Sequence, residues 1–142
     1  MGRLAPDLLV QDATVPRTRL PEVLEQIGEI GRRYGLRVAN VFHAGDGNLH
    51  PNLVYDRRNA EETRRVEKAS KEIMAACVDA GGTITGEHGV GSDKRRYMPL
   101  VFSPLELKAL EGVRKVFDPQ GTCNPGKVLP DSPEVGRGGG DS

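Results

Sequence analysis

Tryptophan is absent from this chain, and aromatic residues of all kinds make up only 4% of it. Hydrophobic residues reach 37%, so the sequence can fill a small core or form one piece of a larger protein. Cysteine is nearly absent. Cys77 and Cys123 are too few for a disulfide framework, and both read as free thiols in a reducing, cytoplasmic setting. No apolar run approaches the ~18 residues of a membrane span, and Met1-Gly-Arg-Leu-Ala-Pro-Asp7 has no signal-peptide core. Charge of one sign is missing too: Lys+Arg and Asp+Glu number 20 each. That balance excludes the basic stripe of a nucleic-acid binder, and the interspersed charges read as solvated helix faces. The length, 142 residues, suits one domain with a modest core.

Histidine is scarce but concentrated. All three lie in two glycine-rich segments, His43-Ala-Gly-Asp-Gly-Asn-Leu-His50 and Gly86-Glu-His-Gly89. Glycine lets backbone turn tightly and lets a ligand come close. Two imidazoles and a carboxylate, His43, His50 and Glu87, form a ligand set that divalent transition metals prefer. His88, next to that carboxylate, is an imidazole free to move a proton.

The elements around these segments follow from periodicity and punctuation. Residues 1–11 read as a lead-in, disordered in character, and Gln11–Val15 as a short strand ended by Pro16. Pro21 opens a helix with Val23, Leu24, Ile27 and Ile30 at helical spacing, closed by Gly35. Arg37–His43 is short and β-branched, hence a strand. Gly45-Asp-Gly-Asn48 supplies turn residues, and Asn52–Tyr55 reads as the returning strand. Asn59–Ala80 is a long helix, stopped by Gly81-Gly82. Thr83–Thr85 reads as one more strand, leading into Glu87. Ser103-Pro-Leu-Glu106 is a capping box with Pro at the first helical position. Leu107, Leu110, Val113 and Phe117 follow on one face until Asp118-Pro119. The order is βαββαβ: an α+β, ferredoxin-like antiparallel sheet with helices on one face, plus C-terminal helices. Residues 131–142 are polar and glycine-rich, and disorder is expected there.

In this arrangement His43 ends one strand, His50 begins the next, and Glu87 follows a third, so the three can share an open site. Open metal sites with three protein ligands leave room for water or substrate. Spacing alone leaves other readings standing. A histidine at a strand end is often a half-buried polar group, and Gly-Asp-Gly-Asn is a common turn. A calcium loop does not fit: Leu49 and His50 follow Asn48, and the twelfth position counted from Asp46 is Arg57, not glutamate. Lys94, Arg95 and Arg96 read as a solvated face, with Lys94 the one placed to meet an anionic substrate. A non-catalytic ferredoxin-like module that binds a metal or a partner chain, and a hydrolase using metal-bound water, remain alternatives.

Four motifs in order give a resemblance: His43-Ala-Gly-Asp-Gly-Asn-Leu-His50; Gly86-Glu-His-Gly-Val-Gly91; Lys94; and Asp118-Pro119 with Asn124-Pro-Gly-Lys127. With Asp12-Ala-Thr-Val-Pro16, they make residues 12–130 resemble the C-terminal (cap) domain of the FAD-linked oxidases. These are vanillyl-alcohol-oxidase-type flavoproteins that include glycolate oxidase, D-lactate dehydrogenase and D-2-hydroxyglutarate dehydrogenase. The resemblance implies a cap over the flavin ring and oxidation of a 2-hydroxy acid. It implies a divalent metal, zinc or manganese, on His43, His50 and Glu87, with His88 as acid/base. It also implies Asn52 at the substrate and Asn124 near the flavin, and an iron–sulfur protein as partner. In that family FAD is held mainly by an N-terminal domain, and nothing before Asp12 resembles one. The chain therefore reads as a C-terminal piece, inactive by itself.

Overall fold

The computed structural model describes residues 6–130. The tail expected to be disordered, 131–142, lies outside the described residues, as do residues 1–5 of the lead-in. The first element is strand β1, Asp7–Val10, followed by β2, Ala13–Thr14. Helix α1 spans Leu20–Tyr34, and β3 and β4 span Arg37–His43 and Asn48–Tyr55. Helix α2 spans Ala60–Asp79, then come a short α3, Met98–Val101, and α4, Pro104–Phe117. The fold class is α+β, with an antiparallel sheet.

β4 is the centre of that sheet. On one side it pairs with β3, from Arg37↔Val54 to His43↔Asn48. On the other it pairs with β1 and then β2 in one unbroken register, from Asp7↔Tyr55 to Thr14↔Asn48. β1 and β2 are thus one strand interrupted at Gln11–Asp12. The interruption has a plain cause. Gln11 N donates to Pro51 O at 3.0 Å, but Pro51 has no N–H to return.

Three expectations need correction. Asp7–Val10 is an edge strand, not a lead-in; its apolar residues alternate between core (Leu9) and the opposite face (Leu8, Val10). Thr83–Thr85 is not a full strand. It is reduced to a bridge, Thr14↔Thr83, because the chain then turns away and its next amides bond to a side chain instead of a neighbouring strand. The returning strand also starts earlier than Asn52, which puts His50 inside β4.

Both long helices cover one face. Val23, Ile27 and Ile30 of α1 and Val66, Ile73, Met74 and Cys77 of α2 pack on Ala13, Leu49 and Leu53 of the sheet. Helix starts and stops follow local chemistry. Asn59 accepts from the amides of Glu61 and Glu62 to cap α2, Ser103 and Glu106 complete the capping box of α4, and Gly35 ends α1 at φ 63°. Helix α4 differs from the others: Leu107 packs on the core, but Val113 and Phe117 stand 58% and 83% exposed, so the described residues leave much of its apolar face uncovered. Among the described residues no helix is long and apolar enough to cross a membrane.

Two outcomes follow from this packing. Ile73→Ala empties a fully buried site and should cost about 2–5 kcal/mol in urea unfolding, whereas Phe117→Ala should stay within about 0.5 kcal/mol. Burial pushes the Cys77 thiol up to about 12, while Cys123 is exposed. A thiol reagent at pH 8 should therefore titrate one cysteine in the folded chain and both in guanidinium.

Candidate functional site

The face of the sheet opposite the helices carries the histidines. Leu49 and Leu53 point into the core, so the alternate residues of β4 (Asn48, His50, Asn52) point the other way. His43 pairs with Asn48 and Val41 with His50, which places both on that same face. Asp12 falls opposite His50 in the register that joins Val10↔Asn52 to Ala13↔Leu49.

One ligand atom each from His43, His50 and Glu87 lie within 4.8 Å of one another. His50 Nε2 stands 3.3 Å from Glu87 Oε1. Ligands at ~2.1 Å around a tetrahedral ion stand roughly 3.4 Å apart, so this separation suits a shared cation. The His43 ring meets that of His50 edge-on, at 5.5 Å between centroids. The His88 ring stacks on His50 at 4.9 Å, with its Nε2 3.6 Å from Glu87 Oε1. His50 is buried; His43, Glu87 and His88 are exposed. The cluster is therefore open to solvent on one side.

A carboxylate that motif reading passes over holds the Glu87–His88 turn. Asp12 is fully buried. Its Oδ2 accepts from Thr85 Oγ1 at 2.6 Å and from the amides of Gly86 and His88 at 3.0 Å each. The Glu87 amide reaches both oxygens at 3.3 Å. Burial alone would raise the Asp12 pKa. The bonds from Thr85, the His88 amide, Lys94 and the Gly86 amide outweigh it and hold the group far below the usual carboxylate range. Nothing in residue spacing marks Asp12; the only sequence signal is its place at the head of Asp12-Ala-Thr-Val-Pro16.

The other expected site residues are spread out. Lys94 is buried, not on a solvated face. Its Nζ donates to Asp12 O at 2.6 Å and to Asp12 Oδ2 at 3.0 Å, so its charge is already matched. Burial pulls its ammonium pKa down, opposed by Asp12. Asn52 is buried on the histidine face, and its Nδ2 donates to His50 O. Asn124 lies in a turn tied to α4, because Arg114 donates to the carbonyls of Cys123, Asn124 and Lys127. It lines an apolar cavity of about 370 Å³ with Leu110, Val113 and Val128. That cavity contains none of the histidines, though Val128 N donates to Gly91 O in the loop after His88. A second cavity, about 250 Å³, runs from His88 past Lys94 and Arg96 to Tyr97.

Comparison with known proteins gives the chain that carries this histidine–carboxylate cluster a family. Residues 1–128 match the family model "FAD linked oxidases, C-terminal domain". The chain belongs to this family. It is 45% identical to glycolate oxidase subunit GlcD of Escherichia coli K12 over 130 residues, 92% of this chain and 26% of that protein. The Bacillus subtilis glycolate oxidase subunit GlcD is 41% identical over 129 residues, 91% of this chain and 27% of its own length. A D-lactate dehydrogenase of Anaerostipes hadrus is 35% identical over 121 residues, 82% of this chain and 25% of that protein. The chain thus spans about a quarter of the length of these relatives.

Gly86 tests how tightly the turn is seated. A Cβ there would meet Asn48 Oδ1 and Thr14 Oγ1 at 2.5 Å. Gly86→Ala should therefore destabilise the chain by about 1–3 kcal/mol in urea unfolding and shift the amide signals of Glu87 and His88. A change under about 0.5 kcal/mol would mean that the turn is slack.

Proposed function

We propose that this chain is the substrate-side, C-terminal portion of an FAD-dependent 2-hydroxy acid dehydrogenase that converts a 2-hydroxy acid to a 2-oxo acid. The observation that carries this reading is the convergence of His43, His50 and Glu87, with His88 beside them, on an exposed sheet face in a chain of the FAD-linked oxidase family. That face also leaves Leu8, Val10 and Val41 38–47% exposed. A small binding module or a hydrolase needs no such apolar surround, whereas a chain that closes over a flavin domain does.

The donor set fits a divalent metal, zinc or manganese. It joins two imidazoles and a carboxylate, and the buried His50 Nδ1 has no hydrogen-bond partner, so that nitrogen is free to carry the proton while Nε2 serves as ligand. His43, His50 and Glu87 would hold the ion. A metal there supplies Lewis-acid polarisation of a hydroxyl and FAD supplies the hydride acceptor. The chain's own residues do the rest. His88, half-exposed next to the ligands, takes the substrate's hydroxyl proton on its imidazole. Asn52, fixed by its bond to His50 O, offers its amide to the substrate. Lys94 keeps Asp12 charged and in place rather than reaching the substrate itself. Asn124 approaches the flavin from the turn on α4. The proposed setting is the cytoplasm, and the proposed electron-accepting partner is an iron–sulfur protein.

Three outcomes test the proposal. A protein carrying this region together with its flavin domain should oxidise members of a panel of 2-hydroxy acids and lose activity with a chelator. In it, His43→Ala should lower metal content and kcat/KM together by at least about tenfold, or roughly 1.4 kcal/mol; unchanged turnover would contradict the assignment. The 142-residue chain should bind FAD more weakly than ~1 μM, because the pyrophosphate grip lies in the other domain; saturable binding at ~1 μM, worth about 8 kcal/mol, would place the flavin site here instead.

A further inference from the structure

We propose that Asp12 is the positioning residue of this site: clamped by Lys94, its carboxylate fixes which nitrogen of His50 carries the proton and holds the Glu87–His88 turn by its amides. The inference rests on the metal-site reading above and deepens it.

The two oxygens of Asp12 have different tasks. Oδ2 is crowded by Thr85, the turn amides and the Lys94 ammonium. Oδ1 has only the longer contact from the Glu87 amide, and it faces His50 Nδ1 at 3.8 Å. That nitrogen is buried and has no hydrogen-bond partner among the described residues. A carboxylate only accepts, and although 3.8 Å is an ion-pair separation rather than a hydrogen bond, its charge favours a proton on Nδ1 over a bare lone pair there. Nε2 is then the bare nitrogen, aimed at Glu87 Oε1 across 3.3 Å. Two lone pairs facing each other at that distance repel unless a cation or a proton lies between them. Asp12 thereby turns His50 and Glu87 into a pair that calls for a positive charge. Carboxylate partners of ligating histidines elsewhere act in this way, fixing tautomer and ring orientation.

The same group sets the second ligand. Among the described residues Glu87 and His88 pair with no strand, and their amides end on Asp12. Lys94 ties the arrangement to the 3-10 turn Arg95–Tyr97 that leads into α3, through Asp12 O and Oδ2. A cation and a row of amides thus meet on one buried carboxylate, and two of the three metal ligands depend on it.

The test uses the 142-residue chain and zinc ion alone. Long-range 15N spectra of the histidine rings should show His50 protonated on Nδ1 without zinc, and with zinc the Nε2 resonance should move while Nδ1 keeps its proton. Asp12→Asn should weaken zinc binding roughly 10- to 100-fold and speed hydrogen exchange of the Gly86, Glu87 and His88 amides. Asp118→Asn removes a carboxylate that caps the Thr122 and Cys123 amides away from the site and should leave zinc affinity within about twofold. Pairing Asp12→Asn with Lys94→Met avoids stranding a buried ammonium, and the ring spectra of the parent chain decide the matter even where a variant does not fold. A proton on Nε2 with bare Nδ1, or zinc affinity within about twofold in Asp12→Asn, overturns the proposal. If the parent chain binds no zinc, the metal reading fails, while the His50 ring proton and the exchange of the turn amides still decide whether Asp12 positions them.

Discussion

One buried carboxylate organises the half of the molecule that faces away from the helices. Asp12 sits in a break of the edge strand, with no solvent around it. Leaving such a charge unpaired in the interior is costly, and the chain meets that demand with an ammonium, a hydroxyl and the turn amides, all drawn from residues 85–94. The consequence is geometric. The segment after α2 cannot continue as a strand, because its amides are already engaged with Asp12. It turns instead, and the turn delivers Glu87 and His88 to the face where β4 presents His50.

The helix side of the sheet does a different job. α1 and α2 bury Leu49 and Leu53, which fixes the alternation of β4 and therefore obliges His50 and Asn52 to point the other way. Burial of apolar side chains thus sets the direction of the polar ones. A one-residue slip in register would send His50 into the core and Leu49 to the open face. The long pairing of β4 with β3 resists that slip, and it holds His43 next to the same centre.

Much of this is legible in residue order. Helix boundaries are readable because Pro21, Gly35, Asn59 and the Ser103–Glu106 box act locally, through φ preferences and caps. The antiparallel architecture is readable from alternating short and long periodic segments, and the membership of the FAD-linked oxidase C-terminal family from motifs in order. What escapes depends on distant contacts. β1 is hidden because Asp7-Leu-Leu-Val10 is short and shows no clean alternation. Thr83–Thr85 has the residues of a fourth strand, but the amides that follow go to Asp12, as does the Thr85 hydroxyl from 73 positions away. Lys94 looks like a surface cation because charge runs usually are solvated; its burial depends on a carboxylate that precedes it by most of the domain. The uncovered apolar face of α4 has the same origin, since periodicity shows that a face is apolar but not what lies against it.

The centre proposed on the open sheet face is a single metal site held by His43, His50 and Glu87. The most direct measurement is anomalous diffraction from crystals of this chain grown with zinc. The predicted result is a single strong peak bounded by His43 Nδ1 or Nε2, His50 Nε2 and a Glu87 carboxylate oxygen, at about 2.0–2.2 Å from each. Ordered side chains with no peak between them, or zinc bound only at other residues, would contradict it.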